Sequence, residues 1–274
     1  MTGSGPVPAD REGPPPDIDI SVAHVARVYD YWLGGKTNFT PDQVAARAAM
    51  RAAPHVAEGV RGNRAFLARA VRYLVGQAGI RQFLDIGTGI PAADNTHEVA
   101  QGVARECRVV YVDNDPIVLA HARALLTSEP EGATAYLDAD LRNVAGIVRA
   151  AGGTLDLTRP VAVMLIGILH CIPDEDDPAG IIERLMAAVP PGSYLVISHP
   201  ANDINSPGVR RLASRLNELM PVKLRFRSRA EVAGLFDGLE LVEPGLVRAP
   251  EWRPDSDAGL GNPAALWAGV ARRN

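Results

Sequence analysis

Three acidic residues sit at the ends of short apolar runs: Asp85 in Phe83-Leu84-Asp85-Ile86, Asp113 after Val109–Val112, and Asp140 shortly after Tyr136-Leu137. Between the first two lies Gly87-Thr88-Gly89, whose glycines let the backbone turn sharply and keep side chains away from a ligand. In a parallel sheet such strand ends share one edge, so the three carboxylates would line one crevice. Asp113, 24 residues beyond Gly89, suits two hydrogen bonds from ribose hydroxyls, and Asp140 suits an adenine amino group. Asp85 either attracts a cationic ammonium or holds the turn together, and its charge opposes a pyrophosphate. That opposition matters because Gly87 to Ala92 also fits the dinucleotide pattern G-x-G-x-x-A, which is weak on its own. A nicotinamide oxidoreductase is therefore the less favoured reading.

The elements that must position these residues follow from the hydrophobic pattern. Strands are expected at about 82–86, 108–112, 134–137, 161–166 and 193–198, alternating with helices at 92–105, 116–127, 141–150 and 178–188. Pro91 suits the first turn of the helix after the glycines. Helices at 209–219 and 229–236 precede a closing antiparallel pair at 239–247 and 264–271, joined by the Pro- and Gly-rich stretch 248–263. This pattern predicts an α/β fold, a doubly wound, mostly parallel seven-stranded sheet. Ahead of it, residues 1–17 are rich in proline and glycine and read as a disordered tail. Residues 18–79 read as an N-terminal helical cap with helices at about 21–33, 40–53 and 58–77, and residues 80–274 as the main domain. Thr40 would cap the second helix with Pro41 at its first position. Arg61, Asn63, Arg64 and Arg69 on the third helix are read as a solvated basic face.

Two readings of the first helix stay open. Tyr29, Tyr31, Asn38 and Phe39, near Gly34-Gly35, belong either to an amphipathic helix packed on the main domain or to a lid that closes over a ligand.

Bulk composition narrows the partners. The 274 residues are 47% hydrophobic and 22% charged with a net charge of −4, which leaves no electrostatic footprint for nucleic acid or an anionic membrane. Cys107 and Cys171 form no metal-binding spacing, and the run Asp94 to Glu98 is too close-packed for a metal site, so none is expected. No apolar run approaches membrane-spanning length and the start carries no signal pattern, so a cytoplasmic protein is expected. Nothing marks an oligomeric state.

The combination of motifs is more specific than any one of them. Ala26-Arg-Val-Tyr-Asp-Tyr-Trp-Leu-Gly-Gly-Lys-Thr-Asn-Phe39, Arg61-Gly-Asn-Arg-Ala-Phe66, Phe83 to Pro91 running on through Asp94 to Glu98, Val110 to Pro116, Pro244-Gly245 and Glu251 to Pro254 together resemble the actinobacterial S-adenosylmethionine-dependent methyltransferase family first catalogued as a domain of unknown function. The likeness covers about residues 20–272. It implies the class I methyltransferase fold, Rossmann-like, with S-adenosyl-L-methionine as cofactor, and leaves the methyl acceptor open. It carries cofactor-contacting roles onto Gly87, Gly89, Asp113, Asn114, Asp140 and Leu141, with Ile166 and Gly167 beside the methionine part; Asp85, Tyr29 and Asn38 join this set from the crevice and cap readings. After the fourth strand the chain reads Ile166-Gly-Ile-Leu-His-Cys-Ile-Pro173, without the Asn/Asp-Pro-Pro-Tyr/Phe tetrapeptide of amino-group methylating enzymes. A similar Leu-His-x-Ile-Pro occurs in small-molecule methyltransferases, so a small-molecule acceptor is implied. Candidates for a base are His170, His199 and Tyr31 or Tyr29, although His170 suits equally a structural role in its turn, and positioning alone can suffice for methyl transfer. A non-catalytic cofactor-binding sensor is the alternative from another class.

Overall fold

The computed structural model describes residues 19–125, 128–256 and 264–274, so the tail expected at 1–17 lies outside the described residues. Five parallel strands form the centre: β1 (Gln82–Ile86), β2 (Arg108–Asp113), β3 (Ala133–Asp138), β4 (Ala162–Ile166) and β5 (Tyr194–Pro200). Three more follow in the chain: β6 (Glu240–Leu241), β7 (Val247–Arg248) and β8 (Leu266–Arg272). The order is β3-β2-β1-β4-β5-β8-β6, with β8 antiparallel to β5 and β7 also paired to β8. The sheet thus has eight strands where seven were expected, because the stretch 239–247 splits into two two-residue pieces around a turn at Pro244-Gly245. Chain order reverses between β1 and β4, and that reversal opens a crevice at their carboxyl ends.

Side chains alternate across the sheet with period two. Leu84 and Ile86 of β1 face one core with Val110, Val163 and Leu165, covered by α6 (Val144–Ala151), α7 (Pro178–Ala187) and α9 (Arg229–Gly234). Phe83 faces the opposite core with Val109, Tyr111 and Met164, covered by α3 (Val56–Gly76) and α4 (Thr96–Val103). Phe66, Ala70 and Leu74 of α3 are buried there, each large apolar side chain contributing roughly 1.5–3 kcal/mol. Between β2 and β3 runs α5 (Pro116–Leu125).

The remaining helices build a separate layer. In it α1 (Val25–Leu33) and α2 (Thr40–Ala52) pack against α8 (Ser206–Leu219), with Val28, Ala45, Ala46 and Ala49 meeting Val209, Leu212 and Leu216. The cap expected from 18–79 is therefore assembled differently: α3 belongs to the sheet, and α8, inserted after β5, takes its place. Asp42 joins α1 to α2. It is fully buried, accepts hydrogen bonds from the amides of His24 (2.9 Å) and Phe39 (2.8 Å), and pairs with Arg27 at 3.2 Å. Thr40 stands inside α2 and Phe39 at its cap position, since the Asp42 carboxylate already satisfies the amide there.

Pro91 also departs from expectation. The helix starts only at Thr96, where Asn95 and Glu98 form a reciprocal cap, so residues 90–95 are a loop that lengthens the edge of the crevice.

Candidate active site

The glycine turn is held by the strand next to it. Gly87 donates to the Val112 carbonyl at 2.8 Å with φ of 76°, and a Cβ there would come within 2.5 Å of Ile168. Gly89, with φ of 67°, donates to Asp113 Oδ2 at 2.9 Å. The other oxygen, Oδ1, accepts from the Asp115 amide at 2.9 Å. Burial raises the Asp113 carboxyl, and the amides of Asp115 and Gly89 oppose that rise. Each oxygen keeps further lone-pair capacity for a hydroxyl. Asp140 receives Arg142 through its amide (2.8 Å) and guanidinium (2.9 Å), and Asn114 Nδ2 donates to it at 3.3 Å.

Asp85 has a structural bond and a place on the crevice wall. Its Oδ2 accepts from Thr96 Oγ1 at 2.6 Å, tying α4 to β1. It also lines the crevice. Burial pushes its carboxyl up to about 6, against the pull of the Thr96 hydroxyl and the Arg64 charge and with a further push from Asp113.

These groups surround a cavity of about 210 Å³ whose wall includes Asp85, Gly87, Gly89, Asp113, Asn114, Asp140, Leu141, Ile166 and Tyr29. Helix α1 roofs it with His24, Val25, Tyr29, Asp30 and Leu33. The roof is fastened across the crevice, because His24 Nδ1 lies 2.7 Å from Asp115 at the start of α5. Helix α1 thus packs as an amphipathic element and also roofs the crevice.

Three sequence-predicted residues stand elsewhere. Asn38 is not on the crevice wall; its Nδ2 donates to Asp30 Oδ2 at 2.7 Å, and the Thr37 amide donates to the same oxygen at 3.0 Å. Asn38 thus holds Asp30, which is on the wall. Tyr31 faces α2, where its hydroxyl accepts from Arg47 Nε at 3.1 Å. His199 is sealed at 0% exposure. Arg227 Nη1 lies 3.1 Å from His199 Nε2, and since guanidinium only donates, that nitrogen accepts and Nδ1–H donates to the Pro200 carbonyl at 2.9 Å. Both nitrogens are committed, and burial, then His170, then Arg227 hold the ring down to about 3. It has no path to an acceptor. The fourth candidate, His170, is buried against Phe226 and His199, and its Nδ1 has no hydrogen-bond partner.

His170 instead lines a second cavity of about 500 Å³, enclosed by α1, the 52–60 segment, α8, Leu224 and Phe226. Val25, Tyr29, Asn63 and Gly167 belong to both walls, so the two spaces are neighbours across a thin partition. Asn63 Nδ2 donates to the Tyr29 hydroxyl at 3.1 Å, and that hydroxyl donates to the Val60 carbonyl at 3.4 Å.

A family profile described as S-adenosyl methyltransferase matches residues 11–274. The chain belongs to the S-adenosyl methyltransferase family. It is similar to a DUF574 family protein of Streptomyces avermitilis, at 47% identity over 93% of this chain and 99% of that one, with a TM-score of 0.90. It is similar as well to a putative methyltransferase of Thermobifida fusca, at 39% identity over 95% and 98% of the two chains, TM-score 0.86. Human N-acetylserotonin methyltransferase, solved in complex with SAM, shares the fold at 15% identity, TM-score 0.50, over 90% and 70% of the two chains. No match emerges among proteins of curated function.

The residues present fit the S-adenosylmethionine of this methyltransferase. The crevice carries the carboxylates of Asp30, Asp85, Asp113 and Asp140 against the guanidinium groups of Arg64 and Arg142, a balance that suits a sulfonium with an amino acid tail and opposes a pyrophosphate. Several contributors were not expected from the sequence. Asn63 and Arg69 are buried rather than solvated, Arg69 donating to the Trp252 and Ala249 carbonyls at 2.9 and 2.7 Å. Arg64 lines the crevice and donates to the Ala93 and Asp94 carbonyls at 2.7 and 2.8 Å, fixing the loop after the glycine turn. Arg227, 3% exposed, donates to the Leu169 and Ile172 carbonyls and pairs with Asp174, so it clamps the turn that carries His170. For Asn63 and Arg64 the signal in the sequence was their place in the motif Arg61 to Phe66. Among the described residues no helix is long and apolar enough to cross a membrane.

Proposed function

We propose that this methyltransferase acts in the cytoplasm on a small molecule seated in the cavity beside the crevice. The observation that carries the reading is the shared wall: Tyr29, Asn63 and Gly167 border both spaces, so an acceptor in one lies next to a methyl donor in the other. In this reading Gly87 and Gly89 give the close backbone approach, Asp113 takes the ribose hydroxyls, and Asp140 with Leu141 and Asn114 flanks the adenine. Asp85, Asp30 and Ile166 surround the methionine part. Bound S-adenosylmethionine supplies an activated methyl group. What the chain supplies is alignment and exclusion of water, with α1 as roof and α1, α2 and α8 as the acceptor-side lobe. His170 is the polar group closest to a base role on the cavity wall. A sensor would call for a cap packed solid against the crevice, and the cavity opposes that reading.

Calorimetric titration with S-adenosylmethionine and S-adenosylhomocysteine is expected to give micromolar dissociation constants for both. A folded protein that bound neither would overturn the proposal. Turnover is then read as S-adenosylhomocysteine formation across small-molecule acceptors.

A further inference from the structure

The cavity constrains the chemistry of what enters it, an inference that rests on its role as the acceptor site. Among the described residues no carboxylate lines it, and its one arginine, Arg211, and His55 are exposed. The interior is otherwise apolar, and at about 500 Å³ it holds a drug-sized molecule. Two residues of its wall each carry a buried polar atom without a partner. Asn63 Oδ1 is buried without a hydrogen-bond partner in a residue 2% exposed, and His170 Nδ1 likewise in a residue 8% exposed. A buried polar atom left unpaired costs about 1–3 kcal/mol, so the pair marks where a ligand completes the site. Asn63 Oδ1 accepts only, and neutral imidazole offers one acceptor nitrogen. Asn63 Oδ1 therefore calls for a donor, and so does His170 in the tautomer that leaves Nδ1 as its acceptor.

We infer that the acceptor is an uncharged, largely apolar molecule presenting one acidic hydroxyl, a phenol or an enol, to Asn63 and His170. An ammonium would be buried here without a counter-charge, at a cost of several kcal/mol. A carboxylate would meet the Asn63 oxygen with no donor beside it. The hydroxyl must be acidic because the wall offers no strong base: burial, and then the Arg227 charge, hold the His170 imidazole down to about 4. A neutral ring of this kind accepts a hydrogen bond and passes a proton on without keeping it. In the transfer, a lone pair of the hydroxyl oxygen forms the new C–O bond to the methyl carbon. The electron pair of the broken C–S bond stays on sulfur, which becomes a neutral thioether, and the hydroxyl proton passes by His170 to water.

The test is calorimetry on the full chain saturated with S-adenosylhomocysteine, titrated with 4-phenylphenol, 2-naphthol and 4-phenylbenzylamine. Gly59 offers a way to fill the cavity from its wall, since a Cβ there meets only Ala264 at ordinary contact distance, 3.8 Å. At least one of the two phenols is expected to bind about tenfold or more tighter than the amine, a difference of about 1.4 kcal/mol. Gly59→Leu should weaken phenol binding by about tenfold or more while S-adenosylhomocysteine affinity stays within about twofold, with Gly59→Ala in between. Unchanged cofactor-product affinity reports that each variant is folded. The inference fails if the amine binds as well as the phenols, if neither phenol binds, or if Gly59→Leu leaves phenol affinity intact. Loss of S-adenosylhomocysteine binding by the unaltered chain would instead sink the underlying reading.

Discussion

The crevice and the cavity share Tyr29, Asn63 and Gly167 but are built in opposite ways. Backbone makes the crevice: two glycines at positive φ, amides of Gly89 and Asp115 on the two oxygens of Asp113, and carboxylates at strand ends. Its polar groups are already engaged with one another, so it is formed before any ligand arrives. The cavity is made largely of side chains from α1, α3 and α8, and two polar atoms of its lining residues, Asn63 Oδ1 and His170 Nδ1, have no partner. A common cofactor rewards a preset site, whereas an acceptor pocket made of interchangeable apolar side chains can change shape without disturbing the sheet.

The sharpest way to break this contrast is at Asp113. Asp113→Ala removes the carboxylate that receives both amides and, on the reading above, two ribose hydroxyls. Charge-assisted hydrogen bonds contribute about 1.5–3 kcal/mol each, so the dissociation constant of S-adenosylmethionine should rise about 100-fold or more, measured by calorimetry. A change under about tenfold would mean that the crevice is not preset around this residue.

Asp85 gives a second test through pH. Its carboxyl stands at about 6 in the folded chain against about 3.9 unfolded, so the folded state prefers the protonated form. Ionising it costs nothing below about pH 4, increasingly more between 4 and 6, and about 3 kcal/mol above 6. Asp85→Asn should therefore raise the stability of the ligand-free protein at pH 7 by an amount of that order, with the gain vanishing toward pH 4 in chemical denaturation. The variant comparison is needed because His170 and His199 act oppositely. Held down to about 4 and about 3, they contribute stability above about pH 6.5 that is lost as pH falls through the folded values. Cofactor affinity should change in the other direction from stability: Asp85→Asn binds more weakly at pH 7, since the ionised carboxylate is what meets the cation.

The two glycines separate close approach from conformation. Gly87→Ala imposes positive φ on alanine and sets a Cβ 2.5 Å from Ile168, whereas Gly89→Ala imposes positive φ with open space around it. Strain alone costs about 1–2 kcal/mol. Thermal unfolding should show Gly87→Ala less stable than Gly89→Ala by a further 1 kcal/mol or about that, because Ile168 must move. Equal losses would show that the turn tolerates the contact.

How much of this was legible follows from how each region is encoded. Asp85, Gly87, Gly89 and Asp113 fall at strand ends set by local hydrophobic pattern, so their convergence could be read from strand order alone, and of the ten residues expected around the cofactor all but Asn38 line the crevice, whereas Asp30 and Arg64 on its wall were not foreseen. The cavity could not. Val28, Val60, Leu212 and Phe226 look like core residues in sequence, and only the docking of α8 onto α1 and α2 leaves space between them. The same docking explains why α3 was misplaced in the cap: its apolar face fits either layer until the sheet claims Phe66 and Leu74. Arg69 and Arg227 were opaque for another reason, since a buried arginine that caps carbonyls leaves the same trace as a solvated one.

Tyr29 and Tyr31 bring the contrast down to two hydroxyls on one helix. Two residues apart, they are separated by about 200° around α1 at helical periodicity, so they cannot face the same space. Tyr29 looks inward, bonded to Asn63 at 3.1 Å on the partition between crevice and cavity. Tyr31 looks toward α2 and the exposed Arg47. Tyr29→Phe removes the group that holds the Asn63 amide, freeing it to swing its unpaired oxygen away from the cavity; kcat/KM should fall about tenfold, with S-adenosylhomocysteine affinity changed less. Tyr31→Phe loses one exposed hydrogen bond, a loss of about 0.5 kcal/mol or less, and should leave kcat/KM within about twofold. If Tyr31→Phe proved the more damaging, catalysis would run on the α2 side of the cap, and the cavity behind Tyr29 would not be where the acceptor sits.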